Sequence, residues 1–198
     1  MNEEGVIKFN CTWIKAAPPN FELIKELNTW RDTLYKLKLL GVTKDGIGYG
    51  NISCRYKENF VISGSGTGKL KHLTNEHYAT VIDYSIKENA LTAIGPVIAS
   101  SESLTHAMIY VNQPAINAVF HIHHFALWKK LLNKIPTTHI EVAYGTPAMA
   151  NEIVRLFKET KLASEKIFVM AGHEEGIVSF GKDANEAGNI LLAALHTL

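Results

Sequence analysis

The chain has 198 residues, 46% hydrophobic and 20% charged, ordinary values for a globular domain that exclude a disordered or collagen-like chain. Twenty basic residues against nineteen acidic ones leave a net charge of +1, which predicts no broad footprint for nucleic acid or an anionic membrane. The length suits one domain over residues 1–198. Cys11 and Cys54 are too few for a disulfide framework and lack zinc-ribbon spacing. The opening MNEEGVIKFNCTW is acidic and polar, without the apolar core of a signal peptide. No stretch approaches the roughly 18 uninterrupted apolar residues that span a bilayer. A cytoplasmic protein that does not enter membranes is therefore expected.

In chain order, residues 21–40 carry Leu23, Ile24, Leu27, Trp30, Leu34, Leu37 and Leu40 at helical spacing, with Gly41 as a stop. After a glycine-rich turn (Gly46, Gly48, Gly50), short strands are predicted over 51–56 and 59–62, and two more over 79–83 and 90–94. Residues 101–111 read as a helix, 117–123 as a buried strand and 125–132 as a helix. Another helix follows over 146–161, then strands over 166–170 and 176–180 and a closing helix over 184–195. Strands and helices alternate, which predicts an α/β fold with a mixed sheet covered by helices.

Nine histidines need an explanation. In AVFHIHHF, His121 and His123 lie two apart in an apolar strand, so both imidazoles project from one face. Two neutral imidazoles make half of a tetrahedral metal site, whereas the plainer reading is one core and one surface histidine. His173, in VMAGHEEGIV, is the best third donor, and three histidines leave the open position a catalytic metal needs. His124 belongs to the opposite face.

In IGPVIASSESLTHAMIY, Ser100 or Ser101 is a natural N-cap and Glu102 falls in the first helical turn. Hydroxyls, backbone N–H groups and the helix dipole together favour an anion such as a phosphate there. An ordinary capped helix start, with Glu102 and His106 as a surface pair, explains the same residues. GYGNISCR offers Gly50 and Asn51 for close approach to an oxyanion. VISGSGTGKL fails the Walker A pattern, because Leu70 follows Lys69 where Ser or Thr is needed, but it can still supply donors to one phosphate.

The order GNISCR, ISGSG, SSESLTHAMIY, HIH, GTPAMANEI and EEGIVSFGKDANEA resembles the class II aldolase/adducin family over nearly the whole chain from Trp30 onward. The resemblance implies a three-layer αβα fold with a central mixed sheet and a homotetramer with interfacial sites. It implies a zinc ion, or another divalent metal, on His121, His123 and His173. Glu102 matches the aldolases' acid/base glutamate. Ser100, Ser101, Gly50 and Asn51 match phosphate contacts, as do Ser65 and Gly66, with a slip to Thr67 and Gly68 as the alternative. The activity implied is a lyase that cleaves a small sugar or sugar phosphate through a metal-stabilised enediolate.

Three departures stand beside this. GHEEG carries two extra residues, so strict alignment sets Glu175 where the family has histidine. The tyrosine that the aldolases use as an acid is replaced by Ile140. THIEV resembles the segment in which related dehydratases hold their glutamate, which makes Glu141 a rival acid/base. A dehydratase or epimerase is the enzymatic alternative, and a non-catalytic adducin-like module the other.

Overall fold

The computed structural model describes residues 6–198; residues 1–5, part of the polar opening, lie outside the described residues. Ten strands follow in chain order: β1 (Asn10–Lys15), β2 (Gly41–Val42), β3 (Gly48–Tyr49), β4 (Asn51–Tyr56), β5 (Asn59–Ser63), β6 (Tyr78–Ser85), β7 (Ala90–Gly95), β8 (Ala118–His123), β9 (Ile167–Val169) and β10 (Gly176–Gly181). The helices are α1 (Phe21–Lys36), α2 (Ser103–Asn112), α3 (Phe125–Leu131), α4 (Pro147–Glu159), α5 (Leu162–Glu165) and α6 (Ala184–Leu195). Eight strands form one sheet in the order β1-β7-β6-β5-β4-β8-β10-β9, and β2 pairs with β3 in a separate ribbon. The β1–β7 pairing is parallel and the other pairings of the large sheet are antiparallel, so the sheet is mixed.

Each sheet face buries its own apolar cluster. On one, Leu104, Ala107 and Ile109 of α2 and Met149, Ile153 and Leu156 of α4 pack against Phe60, Ile62, Val81, Val119 and Val178. On the other, Ile24, Leu27 and Leu34 of α1 and Ala187 and Leu191 of α6 pack against Ile52, Val61, Phe120 and Ile122. Helices on both faces make the layers αβα. Strand β8 divides strictly by parity: Ala118, Phe120 and Ile122 enter the α1/α6 cluster and Val119 the α2/α4 cluster. That alternation carries His121 and His123 onto the α2/α4 face at the strand's end. No helix among the described residues is long and apolar enough to cross a membrane.

Two helix boundaries change, and β1, the β2–β3 ribbon and α5 are additional to the expected elements. Helix α1 stops at Lys36 instead of running to residue 40, and Gly41 belongs to β2. Lys38 takes φ 58°. The Lys38 N–H donates to the Tyr35 carbonyl and the Leu39 N–H to the Leu34 carbonyl, both at 3.0 Å, a Schellman ending built without glycine. Helix α2 begins at Ser103, two residues later than expected, with Glu102 at the N-cap. The Ser100 carbonyl accepts from the Ser103 N–H at 3.1 Å and its hydroxyl from the Glu102 N–H at 3.3 Å, so Ser100 closes a turn ahead of the helix. Strand β1 was not foreseen. Its side chains are almost all exposed, so it shows no alternation between apolar and polar residues.

Candidate functional site

The register of the sheet builds the histidine cluster. Strand β8 lies between β4 and β10, with His121 opposite Asn51 on one side and Val178 on the other, and His123 opposite Gly176. His173 sits in the turn that closes β9 onto β10. The Gly176 carbonyl accepts from the Met170 N–H, and the His173 carbonyl from the Gly176 N–H, both at 2.9 Å. Ring centroids are 4.9 Å apart for His121–His123, 5.1 Å for His121–His173 and 4.7 Å for His123–His173. One donor nitrogen from each lies within 4.8 Å of the others, and all three residues are buried. Glu174 is exposed and Glu175 takes φ 69°, so the two extra residues are absorbed by the turn. Glu175 stays outside the triad.

Three features of the structure fit this triad to a cation. His121 Nε2 is buried with no hydrogen-bond partner among the described residues. Burial first, and then the neighbouring His123 and His173, hold the His121 pKa well below the ordinary value, which keeps its imidazole neutral as a ligand must be. Asn51 Nδ2 lies 3.3 Å from His121 Nδ1 while Asn51 Oδ1 is buried and unpaired. With the amide turned over, Oδ1 accepts from Nδ1–H, Nε2 keeps its lone pair for a metal, and Nδ2 is left to donate elsewhere. The third feature is Gly176: a Cβ there would stand 3.4 Å from His121 Nε2, 3.3 Å from His173 Cγ and 2.9 Å from the His173 carbonyl oxygen. A side chain there would force the His173 carbonyl, and with it the His173 ring, to shift.

Glu102 is 2% exposed, and its Oε1 lies 3.3 Å from His173 Nδ1. Its Oε2 accepts from Thr105 Oγ1 at 2.9 Å. Beneath it, His106 Nδ1 and the Tyr110 hydroxyl both meet Ser53 Oγ, at 2.7 and 2.8 Å. Burial pushes the His106 pKa down to about 3. Glu102 and His106 are both buried, so the alternative of a surface pair does not hold.

The three loops expected to hold an anion adjoin one another. Gly64 bridges Ala99, and the Ser65 N–H donates to the Ile98 carbonyl at 2.9 Å, which sets the ISGSG turn beside Ser100 and Ser101. Gly68 packs against the turn before Gly50, where a Cβ would meet the Gly41 carbonyl at 2.2 Å and Gly48 Cα at 2.9 Å. Ser65 and Gly66 are exposed, whereas Ser100 and Ser101 are buried. Arg31, on α1, braces the segment from below. Its Nη1 donates to the Lys71 carbonyl at 2.6 Å, and its Nη2 donates to the Thr67 and Gly68 carbonyls at 3.4 and 3.5 Å and to Leu70. The rival acid Glu141 is exposed, as is Ile140.

A cleft of about 890 Å³ opens onto His123 and His173. Tyr49 and Tyr144 form part of its wall, and Lys8, Lys38 and Lys44 give it positive charge. Tyr144 stacks on His173 with centroids 4.6 Å apart and an interplanar angle of 28°. Sequence reasoning did not single out Tyr144, Gly176 or Arg31. Gly176 does carry a signal, as the glycine that opens a strand just after a candidate ligand.

A layered αβα fold with three imidazoles at the end of its central strands defines the class of protein. The profile of the Class II Aldolase and Adducin N-terminal domain matches residues 35–197, and the chain belongs to this family. Among its relatives is the L-fuculose phosphate aldolase of Haemophilus influenzae, 31% identical over 169 residues that span 79% of this chain and 72% of that protein. Solved structures share the fold. An L-fuculose 1-phosphate aldolase superposes with a TM-score of 0.67 at 17% identity, covering 91% of this chain and 84% of its own. A Thermotoga maritima sugar-phosphate aldolase gives 0.66 at 18%, covering 87% and 90%.

Proposed function

We propose that the protein is a metal-dependent aldehyde-lyase that cleaves a small phosphorylated ketose by a retro-aldol reaction. His121, His123 and His173 would hold the divalent metal, with zinc the best match to three imidazoles and an open position. When bound, the metal supplies Lewis-acid polarisation of the substrate carbonyl. The remaining work falls to side chains and backbone. Thr105 holds Glu102 Oε2. Oε1 is thereby left toward the cluster to carry the proton between substrate hydroxyl and carbon as the C–C bond breaks and the aldehyde leaves. Ser65, Gly66, Ser100, Ser101 and Gly50 would anchor the phosphate, with Asn51 Nδ2 as a further donor, and so fix the reacting carbons beside the cluster.

The observation that carries this reading is the contact of Glu102 with His173 at 3.3 Å within a buried imidazole triad. The name of the Haemophilus relative supports a phosphorylated sugar. Glu102 is buried and touches His173 whereas Glu141 is exposed, which favours Glu102 as the acid/base and weighs against the dehydratase-like alternative. The intact triad weighs against a non-catalytic adducin-like module. The reading includes a homotetramer with interfacial sites, as the resemblance implies, and a cytoplasmic location, as expected from the sequence. The test is a screen of phosphorylated pentuloses and hexuloses with zinc, manganese and cobalt, scoring aldehyde release separately from water loss. Aldehyde release is expected; water loss alone would assign the dehydratase reaction instead.

A further inference from the structure

The THIEV segment matters for more than Glu141. Residues 136–138 run alongside β9, where the Pro136 carbonyl accepts from the Val169 N–H and the Val169 carbonyl from the Thr138 N–H, both at 3.0 Å. The buried Thr138 hydroxyl then accepts from the Ala171 N–H at 3.0 Å, two residues before His173. Further on, the Ile140 and Val142 carbonyls close against Gly172, where a Cβ would lie 2.6 and 2.4 Å from them. The segment therefore backs both residues that lead into the third imidazole.

A buried carboxylate holds the segment in place. Glu152 is 7% exposed, on the face of α4 that also buries Met149, Ile153 and Leu156. An ionised side chain at that depth is rare unless it is paired. Its Oε2 accepts from the His139 N–H at 3.0 Å and from Arg155 Nη2 at 2.8 Å, and its Oε1 accepts from Arg155 Nε at 2.8 Å. The guanidinium fork holds the Glu152 carboxyl below the usual carboxylate range, so it stays charged. Arg155 Nη2 also donates to the Thr137 carbonyl at 3.2 Å. The pair thus grips the backbone on both sides of Thr138.

We infer that Thr138 and Glu152 are positioning residues for His173: Glu152, with Arg155, fixes the backbone around Thr138, and Thr138 fixes the turn that presents the imidazole. This deepens the proposed function and rests on the triad binding a divalent cation. His121 and His123 need no such clamp, because β8 is bonded along both edges within the sheet. Of the three, only His173 stands in a turn, so its place depends on what is packed behind it. The consequence is a metal affinity set in part by α4, a helix that supplies no imidazole to the triad.

The test uses the full chain as wild type, Thr138→Val, Thr138→Ser and Glu152→Gln, with Ile24→Val as a core change on the opposite face of the sheet. Zinc affinity is measured by competition with a chromogenic chelator, in buffer where urea titration shows each protein fully folded. Thr138→Val and Glu152→Gln should each lower the affinity about tenfold or more, as when the supports of a metal ligand are lost. Thr138→Ser, which keeps the hydroxyl, and Ile24→Val should stay within about twofold of the wild type, against that tenfold loss. In the metal-free proteins, amides of residues 171–176 should exchange with deuterium faster in Thr138→Val and Glu152→Gln, while those of residues 118–123 keep their wild-type rates. Wild-type affinity in either of these two variants overturns the inference, as does an equal loss in Ile24→Val. A wild type that binds no zinc, manganese or cobalt strikes the metal reading itself. A wild type that binds zinc beside unaffected variants strikes only the clamp.

Discussion

The imidazole cluster and the serine–glycine loops meet at Glu102, which follows Ser101 and touches His173, but they are built on different terms. The cluster consists of side chains displayed by sheet register. His121 and His123 share a face because strand residues alternate, and Gly176 lies opposite His123 because β10 pairs with β8. The loops consist of backbone, turned by positive φ at Gly50 and Gly66 and braced by a guanidinium from a helix distant in sequence. Register fixes side-chain chemistry to within a residue, so the cluster should fail sharply when one member is changed. Backbone donors depend on packing from elsewhere, so the loops should weaken by degrees.

The largest effect is expected at the cluster. His123→Ala should abolish stoichiometric zinc, measured by atomic emission on protein purified without added metal, while the circular dichroism spectrum stays that of the wild type. Stoichiometric zinc in that variant would refute the ligand assignment. Next is Glu102→Gln, which should lower kcat by about 10²–10⁴-fold with zinc content unchanged, as expected for loss of the proton carrier alone. If Glu141→Gln does this instead, the acid/base role moves there.

A smaller change is expected at Gly176→Ala, because the new methyl would press on the His173 carbonyl and crowd the His173 ring. Zinc affinity should fall about 10–100-fold, the range seen when the surroundings of metal ligands are disturbed. Competition with a chromogenic chelator measures it. The gentlest probe is acid. His106 is neutral and buried with its pKa near 3, whereas in the unfolded chain it titrates near 6.5. The unfolded state then binds the extra proton, so this residue's contribution is complete above pH 6.5 and declines as pH falls toward 3. The slope is at most about 1.4 kcal/mol per pH unit. His106→Gln should flatten that part of the stability profile in urea titrations.

How much of this could be read in the sequence follows the same division. The αβα layering was legible because β8 and its neighbours are apolar runs between amphipathic helices. The pairing of His121 with His123 was legible because a period of two needs no tertiary knowledge. His173 was reachable through the chemistry of a third imidazole. Strand β1 was hidden because an exposed edge strand has no buried face to mark it. Arg31 was hidden because its partners lie 36–40 residues away and are carbonyls, which every residue possesses. The helix starting at Ser103 was misjudged because Ser100 and Ser101 are both good caps by residue type, whereas the N-cap is Glu102, whose side chain makes no capping bond.

The strand that presents two of the imidazoles is bonded along both edges, to β4 and to β10, deep within the sheet. Its amides can meet deuterated solvent only when the sheet itself comes apart, so they belong with the slowest-exchanging part of the molecule. A cation seated there is guarded by the stability of the whole fold. Its escape should therefore be as slow as the exchange of those amides.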